Sequence, residues 1–337
     1  MEAGLRRELQ DAAERAGLAL EAWAVRLEKR KTEKPGGSFV LGEDTLAALL
    51  REREGIYTPP SELVQDLKSR EKALSSRLAR LLGDEPSPKV LATLTKKTLP
   101  PSQGEDGPPL SPSRAREFCR KKGILPGPLP SPRSRPLSSP LLEDLAFPFW
   151  PSAAPLSPPT AENMLRLARA TWPGLRALQA WLECNASSLR RKAPSVLFCR
   201  GWLSYAENLW AEKDPHPQVR ALLAWRRLAE CVQARAALEL HTGNATLSQA
   251  AALLRGKAYL SGKEAEKRVL QLARTPLRYL GYLGLLSIGE LRRSCRAWEG
   301  KRFLAGAFNG KVLSCGALPA SAMEAEILLY CDTPKGK

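Results

Sequence analysis

The chain has 337 residues, 43% of them apolar and 26% charged, which is enough to bury a sizeable core and excludes a wholly disordered polymer. Its 52 Lys+Arg against 35 Asp+Glu leave a formal charge of +17, an excess that points to a polyanionic partner. The seven cysteines include no CxxC pair, which excludes zinc ribbons and dithiol redox centres and reads as small core residues of a reducing compartment.

The first 100 residues are charge-balanced, with 18 Lys+Arg against 16 Asp+Glu. Leu5, Leu9, Ala12, Ala16, Ala19 and Trp23 alternate steps of four and three, the seam of a coiled coil or helical hairpin. Lys34-Pro35-Gly36-Gly37 stops this helix, and a short one follows over 45–54. Thr58-Pro59-Pro60 then opens a third, with Leu63, Leu67, Leu74, Leu78 and Leu81 on one face. Two seams split by a breaker predict a helical hairpin or coiled coil over residues 1–82. The same seams offer a route to self-association, so a homo-oligomer is expected. The N-terminus MEAGLRRELQ lacks the apolar run of a signal peptide, and the greasiest stretch, Leu277 to Ile288, is too short to span a bilayer. With no transmembrane segment, the expectation is an intracellular protein of the cytoplasm or nucleus.

Residues 83–159 hold 18 of the 28 prolines. Proline donates no backbone hydrogen bond and biases its predecessor away from helix, so this segment reads as a flexible Pro/Ser-rich linker. Within it, residues 114–122 form a short basic helix or a solvated charge run. Ser-Pro pairs at Ser87, Ser111, Ser131, Ser139 and Ser157 are open to phosphorylation. Leu129-Pro-Ser-Pro132-Arg133 offers a protein partner an SH3-type ligand. Phe147-Pro-Phe149-Trp150 is too apolar for a free linker and predicts docking.

Residues 160–337 read as a basic globular helical domain; from 161 onward it holds 27 Lys+Arg against 14 Asp+Glu. Helices are predicted at 161–171, 174–190, 196–212, 218–241, 247–256, 262–273, 276–286, 288–299 and 321–331. Capping boxes at Thr246…Gln249, Ser287…Glu290 and Ser321…Glu324 mark three of the starts. Asn309-Gly310 between two apolar runs predicts one small β-hairpin over 303–315. The fold class is therefore mainly α with one two-stranded ribbon.

Catalytic signatures are missing. The two histidines, His216 and His241, have no metal or triad spacing around them, and no GxSxG, HExxH, DxDxDG or GxGxxG pattern occurs. Gly256 to Glu264 imitates a P-loop but has five residues between its glycines, and Glu264 stands where a magnesium-binding Ser or Thr is required. No catalytic residue, metal or cofactor is assigned.

The cations are clustered instead: Arg190, Arg191 and Lys192; Arg226 and Arg227; Lys267 and Arg268; Arg292, Arg293 and Arg296; Lys301 and Arg302. Arg220 shares a helix face with Arg227, and Arg274 shares one with Lys267. On the helix after Ser287, residues Ile288, Leu291, Cys295 and Trp298 form the buried stripe and leave its arginines outside. Such faces contact phosphates, with Tyr259, Tyr279, Tyr282 and Trp225 available to stack on unpaired bases, or else as core aromatics.

A helical hairpin, a linker and a basic helical core together resemble the general plan of nucleocapsid proteins of negative-strand RNA viruses, in architecture and not in motif. That resemblance implies a non-enzymatic structural protein that coats RNA or single-stranded DNA without sequence preference. The alternative is an interaction adaptor whose basic domain meets an acidic protein or an anionic membrane.

Overall fold

The computed structural model describes residues 2–31, 38–83, 85–100, 111–129, 159–185 and 194–332. The chain divides into two compact units, Met1–Phe39 and Val40–Lys337. The first is built on helix α1 (Glu2–Lys31). On it Ala12, Ala16, Ala19 and Trp23 are exposed, while the side chains of Leu5 and Leu9 lie outside the described set.

The second unit is a stack of helices. In chain order they are α2 (Glu43–Glu54), α3 (Pro60–Leu82), α4 (Pro88–Lys96), α5 (Pro112–Lys121), α6 (Ala161–Ala170), α7 (Leu175–Asn185) and α8 (Val196–Ala211). There follow α9 (Pro217–His241), α10 (Leu247–Ala258), α11 (Gly262–Arg274), α12 (Pro276–Tyr279), α13 (Gly281–Glu299), α14 (Ala305–Ser314) and α15 (Ala320–Asp332). The fold is predominantly helical, and no strand occurs among the described residues.

Helix α9 is the axis of this unit, with α3, α6 and α10 laid against it. Of the leucine stripe predicted from Leu63 to Leu81, Leu63, Leu67 and Leu78 are buried together with Val64, Leu74 is half-buried and Leu81 is exposed. Each buried side chain contributes about 1.5–3 kcal/mol on leaving water. Its partner differs from the expected one. The hairpin over 1–82 is not a unit of the fold, because α2 and α3 belong with the second unit and α3 packs on α9. Cys231 of α9 donates its thiol to Leu67 O at 3.4 Å, and Arg235 pairs with Glu71 at 2.9 Å along that contact. Helix α9, 25 residues long and rich in buried alanine, is the partner that α3 takes instead.

The pair α8 and α13 is equally close, and the reason is glycine. A Cβ on Gly201 would stand 2.4 Å from the backbone of Gly284, and one on Gly284 would stand 2.0 Å from Leu197 O. Only hydrogen side chains let these two helices meet.

The linker expected at 83–159 is partly folded. Pro60, Pro88, Pro112, Pro217 and Pro276 all sit in the first turn of a helix, where the missing N–H would have gone unpaired in any case. Within 83–159 two prolines, Pro88 and Pro112, mark helix starts. Leu91 of α4 and Ala115, Phe118 and Cys119 of α5 are buried, as are Ile124, Leu125 and Leu129 after it. The basic run 114–122 is thus the outer side of a core helix. Leu99 N donates to Pro159 O at 2.7 Å, closing this region onto the start of α6. Residues 101–110 and 130–158, with Phe147 to Trp150 and most of the Ser-Pro pairs, lie outside the described residues.

The predicted β-hairpin is corrected as well. Residues 305–314 are helix α14, and Asn309-Gly310 lies inside it. Asn309 is fully buried: its Nδ2 donates to Ile124 O at 2.7 Å and its Oδ1 accepts from the Tyr205 hydroxyl at 2.9 Å. Gly310 leaves room for Pro126, whose Cγ would stand 2.3 Å from an added Cβ. Tertiary contacts, not a turn, explain both residues. Of the capping boxes, Thr246…Gln249 forms, whereas Ser287 lies within α13 and donates to Leu283 O. Ser321 lies just inside α15. The Glu264 that spoiled the P-loop closes a box with Ser261 at the start of α11.

One junction ties distant parts together. Glu54, at the end of α2 and fully buried, accepts from Ser195 Oγ at 2.5 Å, Leu197 N at 3.2 Å and Val196 N at 3.3 Å, so a carboxylate caps α8. Burial pushes its carboxyl up, and these hydrogen bonds pull it partway back. The next residue, Gly55, abuts Ser321 and Pro319 at the start of α15.

Candidate functional site

A cleft of about 640 Å³ opens between α6, α8, α9, α11, α12 and the start of α13. Its floor is a fully buried carboxylate, Glu207, on α8. Glu207 is bound by Arg226 at 2.5 Å, by Arg169 of α6 at 3.5 Å and by the guanidinium of Arg227. Burial alone would raise its carboxyl, but Arg226, Arg169 and Arg227 hold it below the ordinary carboxylate range. Glu230, one turn along α9, takes Arg227 and the Ser204 hydroxyl (2.8 Å), and Glu162 takes Arg226 at 2.7 Å. Burial by itself would lower the Arg226 guanidinium; Glu207 and Glu162 reverse that and raise it. Every charge of this floor is matched, the condition for keeping ions out of water.

The rim is different. Arg268 donates to Gln233 Oε1 at 2.7 Å and lies 5.2 Å from the Tyr279 ring centroid, while Tyr279 donates its hydroxyl to Gln271 at 2.8 Å. Neither Arg268 nor the exposed Lys267 has a carboxylate partner among the described residues. The cleft lining as a whole holds seven Lys/Arg against four Glu.

A second hollow of about 490 Å³ gathers Arg227, Arg292, Arg293 and Arg296 with Tyr205, Tyr282 and Glu212. The predicted cations and aromatics therefore fall into groups. Arg226, Lys267, Arg268, Trp225, Tyr279 and Tyr282 line the first cleft. Arg227, Tyr282, Arg292, Arg293 and Arg296 line the second. Arg220, Arg274, Lys301 and Arg302 are exposed and line neither. Tyr259 caps α10 with a left-handed backbone and packs on the core. Arg190, Arg191 and Lys192 lie outside the described residues.

Several expectations are corrected by this geometry. Arg227 does not share an outer face with Arg220; it is buried against Glu207 and Glu230. Trp298 is exposed, although Ile288, Leu291 and Cys295 are buried as spaced. Tyr282 is buried, so its ring is not free to stack on a base. The residues that reasoning missed are Arg169, Ser204, Glu207 and Glu230. Helix α8 carried a usable signal: among VLFCRGWLSYAENLWA the only charges are Arg200 and Glu207, and an isolated acid in an apolar helix must find a cation. The histidines are structural, His216 between Asp214 and Pro100 O, and His241 against Leu272 O.

Residues 171–327 match a family described as a bacterial protein of unknown function (DUF885). Two solved structures share the fold. One, from Shewanella oneidensis, is described as a candidate lipoprotein of unknown function; it is 17% identical, with a TM-score of 0.67 over 94% of this chain. The other, a candidate lipoprotein from Colwellia psychrerythraea, is 17% identical, with a TM-score of 0.70 over 90%. The chain spans 65% and 58% of those two proteins. No curated protein matches it. These findings overturn the nucleocapsid-like, nucleic-acid-binding reading: the likeness is to a bacterial family and to bacterial proteins, and the strongest basic pair, Arg226 and Arg227, is engaged with internal carboxylates. The neighbours' descriptions as lipoproteins likewise stand against the cytoplasmic or nuclear placement. No helix among the described residues is long and apolar enough to cross a membrane.

Proposed function

We propose that the second unit is a binding module, not an enzyme, and that the first cleft takes a small organic anion bearing two or more negative charges. The observation that carries this reading is the contrast between floor and rim: below, ion pairs are closed, and above, Lys267 and Arg268 face the cleft without carboxylates. A volume of about 640 Å³ suits a metabolite-sized ligand. Seven cations against four carboxylates favour a polyanion, and the Glu162 and Glu264 carboxylates can accept from hydroxyl or amino groups on it. Trp225, which donates to Ala258 O at 2.9 Å, and Tyr279 supply fixed apolar walls. Binding in place of catalysis is supported by the state of the reactive groups. Glu207 is ionised but saturated by guanidiniums, and burial pushes the Cys199 and Cys231 thiols up, away from thiolate.

The test is calorimetric titration with citrate and a panel of dicarboxylates and phosphate monoesters, with glucose and spermidine as neutral and cationic controls. At least one multivalent anion binds, and the affinity falls as salt rises. The double variant Lys267→Ala/Arg268→Ala loses about tenfold to a hundredfold, the worth of one or two charge-assisted hydrogen bonds. The pair Arg220→Ala/Arg274→Ala leaves it unchanged. A panel with no anion bound, or equal binding by both double variants, overturns the reading.

A further inference from the structure

The second hollow has a different chemistry from the first. Its cations are Arg227, Arg292, Arg293 and Arg296, and its one carboxylate is Glu212. Glu212 is taken by Arg292, at 2.7 and 3.0 Å. Arg293 reaches only Glu290, at 3.6 Å between two exposed side chains, and Arg296 has no ion-pair partner among the described residues. Arg227 lines the hollow, is 93% buried and carries an Nε with no hydrogen-bond partner.

Apart from the amide of Asn208, the rest of the lining is apolar: Leu74 of α3, Leu285 and Leu286 of α13, and the rings of Tyr205 and Tyr282. Gly289 completes it, and a Cβ built there meets no atom within 4 Å. Here an arginine cluster stands at one side of an apolar trough whose helix carries a residue with no side chain.

We propose that this hollow is a separate binding site for an anionic amphiphile, a carboxylate or phosphate head joined to a short apolar tail. The head is held by Arg293 and Arg296, with Arg227 donating from within. The tail lies on Leu74, Leu285 and Leu286 across the open Gly289. Charge complementarity selects the head, because Arg293 and Arg296 have no carboxylate inside the hollow, while Arg292 is taken by Glu212 and the charge of Arg227 by Glu207 and Glu230. The apolar wall selects against the compact polyanions suited to the first cleft. The ligand is a free amphiphile and not a bilayer, because the trough is concave and about 490 Å³ in volume, room for one short tail.

The probe is octanoate, titrated by saturation-transfer NMR, beside octyltrimethylammonium as the charge-reversed analogue and phosphatidylglycerol vesicles in a flotation assay. Octanoate binds, and the quaternary ammonium and the vesicles do not. Gly289→Phe fills the trough without touching the charge and abolishes octanoate binding, while its Tm and its citrate titration match the parent. Arg293→Ala/Arg296→Ala weakens octanoate about tenfold or more, whereas Lys267→Ala/Arg268→Ala leaves it intact. The site is refuted by absent octanoate binding, by equal binding in the Gly289→Phe variant, or by capture of vesicles alone. Because citrate and octanoate report on different residues, either site can fail while the other stands.

Discussion

The arginines of α9 and those of α13 are written in the same way in the sequence, as adjacent pairs on amphipathic helices, yet they do opposite things. Arg226 and Arg227 sit over Glu207, Glu230 and Glu162, withdrawn from water and closed into a network with Arg169. Arg293 and Arg296 stand on an exposed face, with a single long contact to Glu290 between them. The difference lies in what faces each helix. Helix α9 meets α8 and α6, each of which presents an acid inward, whereas the outer turn of α13 meets solvent. A buried ion pair contributes little beyond a hydrophobic replacement, but removing one partner strands the rest. Charge on α9 therefore sets the packing, with only the Arg227 Nε left over, and the charge of Arg293 and Arg296 on α13 stays available to a ligand.

This contrast can be broken most directly at Glu207. The Glu207→Gln variant leaves three guanidiniums facing a neutral amide and loses about 3–5 kcal/mol of unfolding free energy, read from urea melts. Acid sharpens the same point. The Glu207 carboxyl is held below its ordinary value of 4.5, so its contribution is complete above about pH 4.5 and is lost as pH falls through the lower folded-state value. Urea midpoints taken down to pH 2.5 drop in the parent and drop less in Glu207→Gln. A half-buried case falls between the extremes: Arg235→Ala on α9 removes bonds to Glu71 (2.9 Å) and Glu239 (3.0 Å) and costs about 1.5–3 kcal/mol. The smallest effect is on α13, where Arg293→Ala/Arg296→Ala changes stability by no more than about 0.5 kcal/mol. A loss there as large as that of Glu207→Gln would erase the distinction.

Helix periodicity was legible wherever one face is buried along its length, as on α3 and α9 to α11, and the capping box at Thr246 and Gln249 forms as spaced. What failed were signals that local rules share with tertiary contacts. Asn309-Gly310 has the composition of a hairpin turn, but the amide binds Ile124 O and the glycine admits Pro126, partners more than 180 residues earlier. The prolines between Pro86 and Pro159 looked like linker because proline weakens helix interiors, yet two of them, Pro88 and Pro112, mark helix starts instead. The site was half legible. The cations Arg226, Lys267 and Arg268 were found by clustering, but the acids that sort them, Glu207 and Glu230, lie on separate helices, and no spacing along the chain brings α8 to α9.

The contact of Glu54 with α8 also bears on the order in which the polypeptide is finished. Glu54 binds a serine 141 residues further on, and Gly55 beside it rests on Ser321. Helix α2 is synthesised early but has neither partner until α8 and α15 have followed it. Closure of long loops slows folding, and the carboxylate of Glu54 stays in water until residues 195–197 are made, while Gly55 meets Ser321 only after α15 has begun.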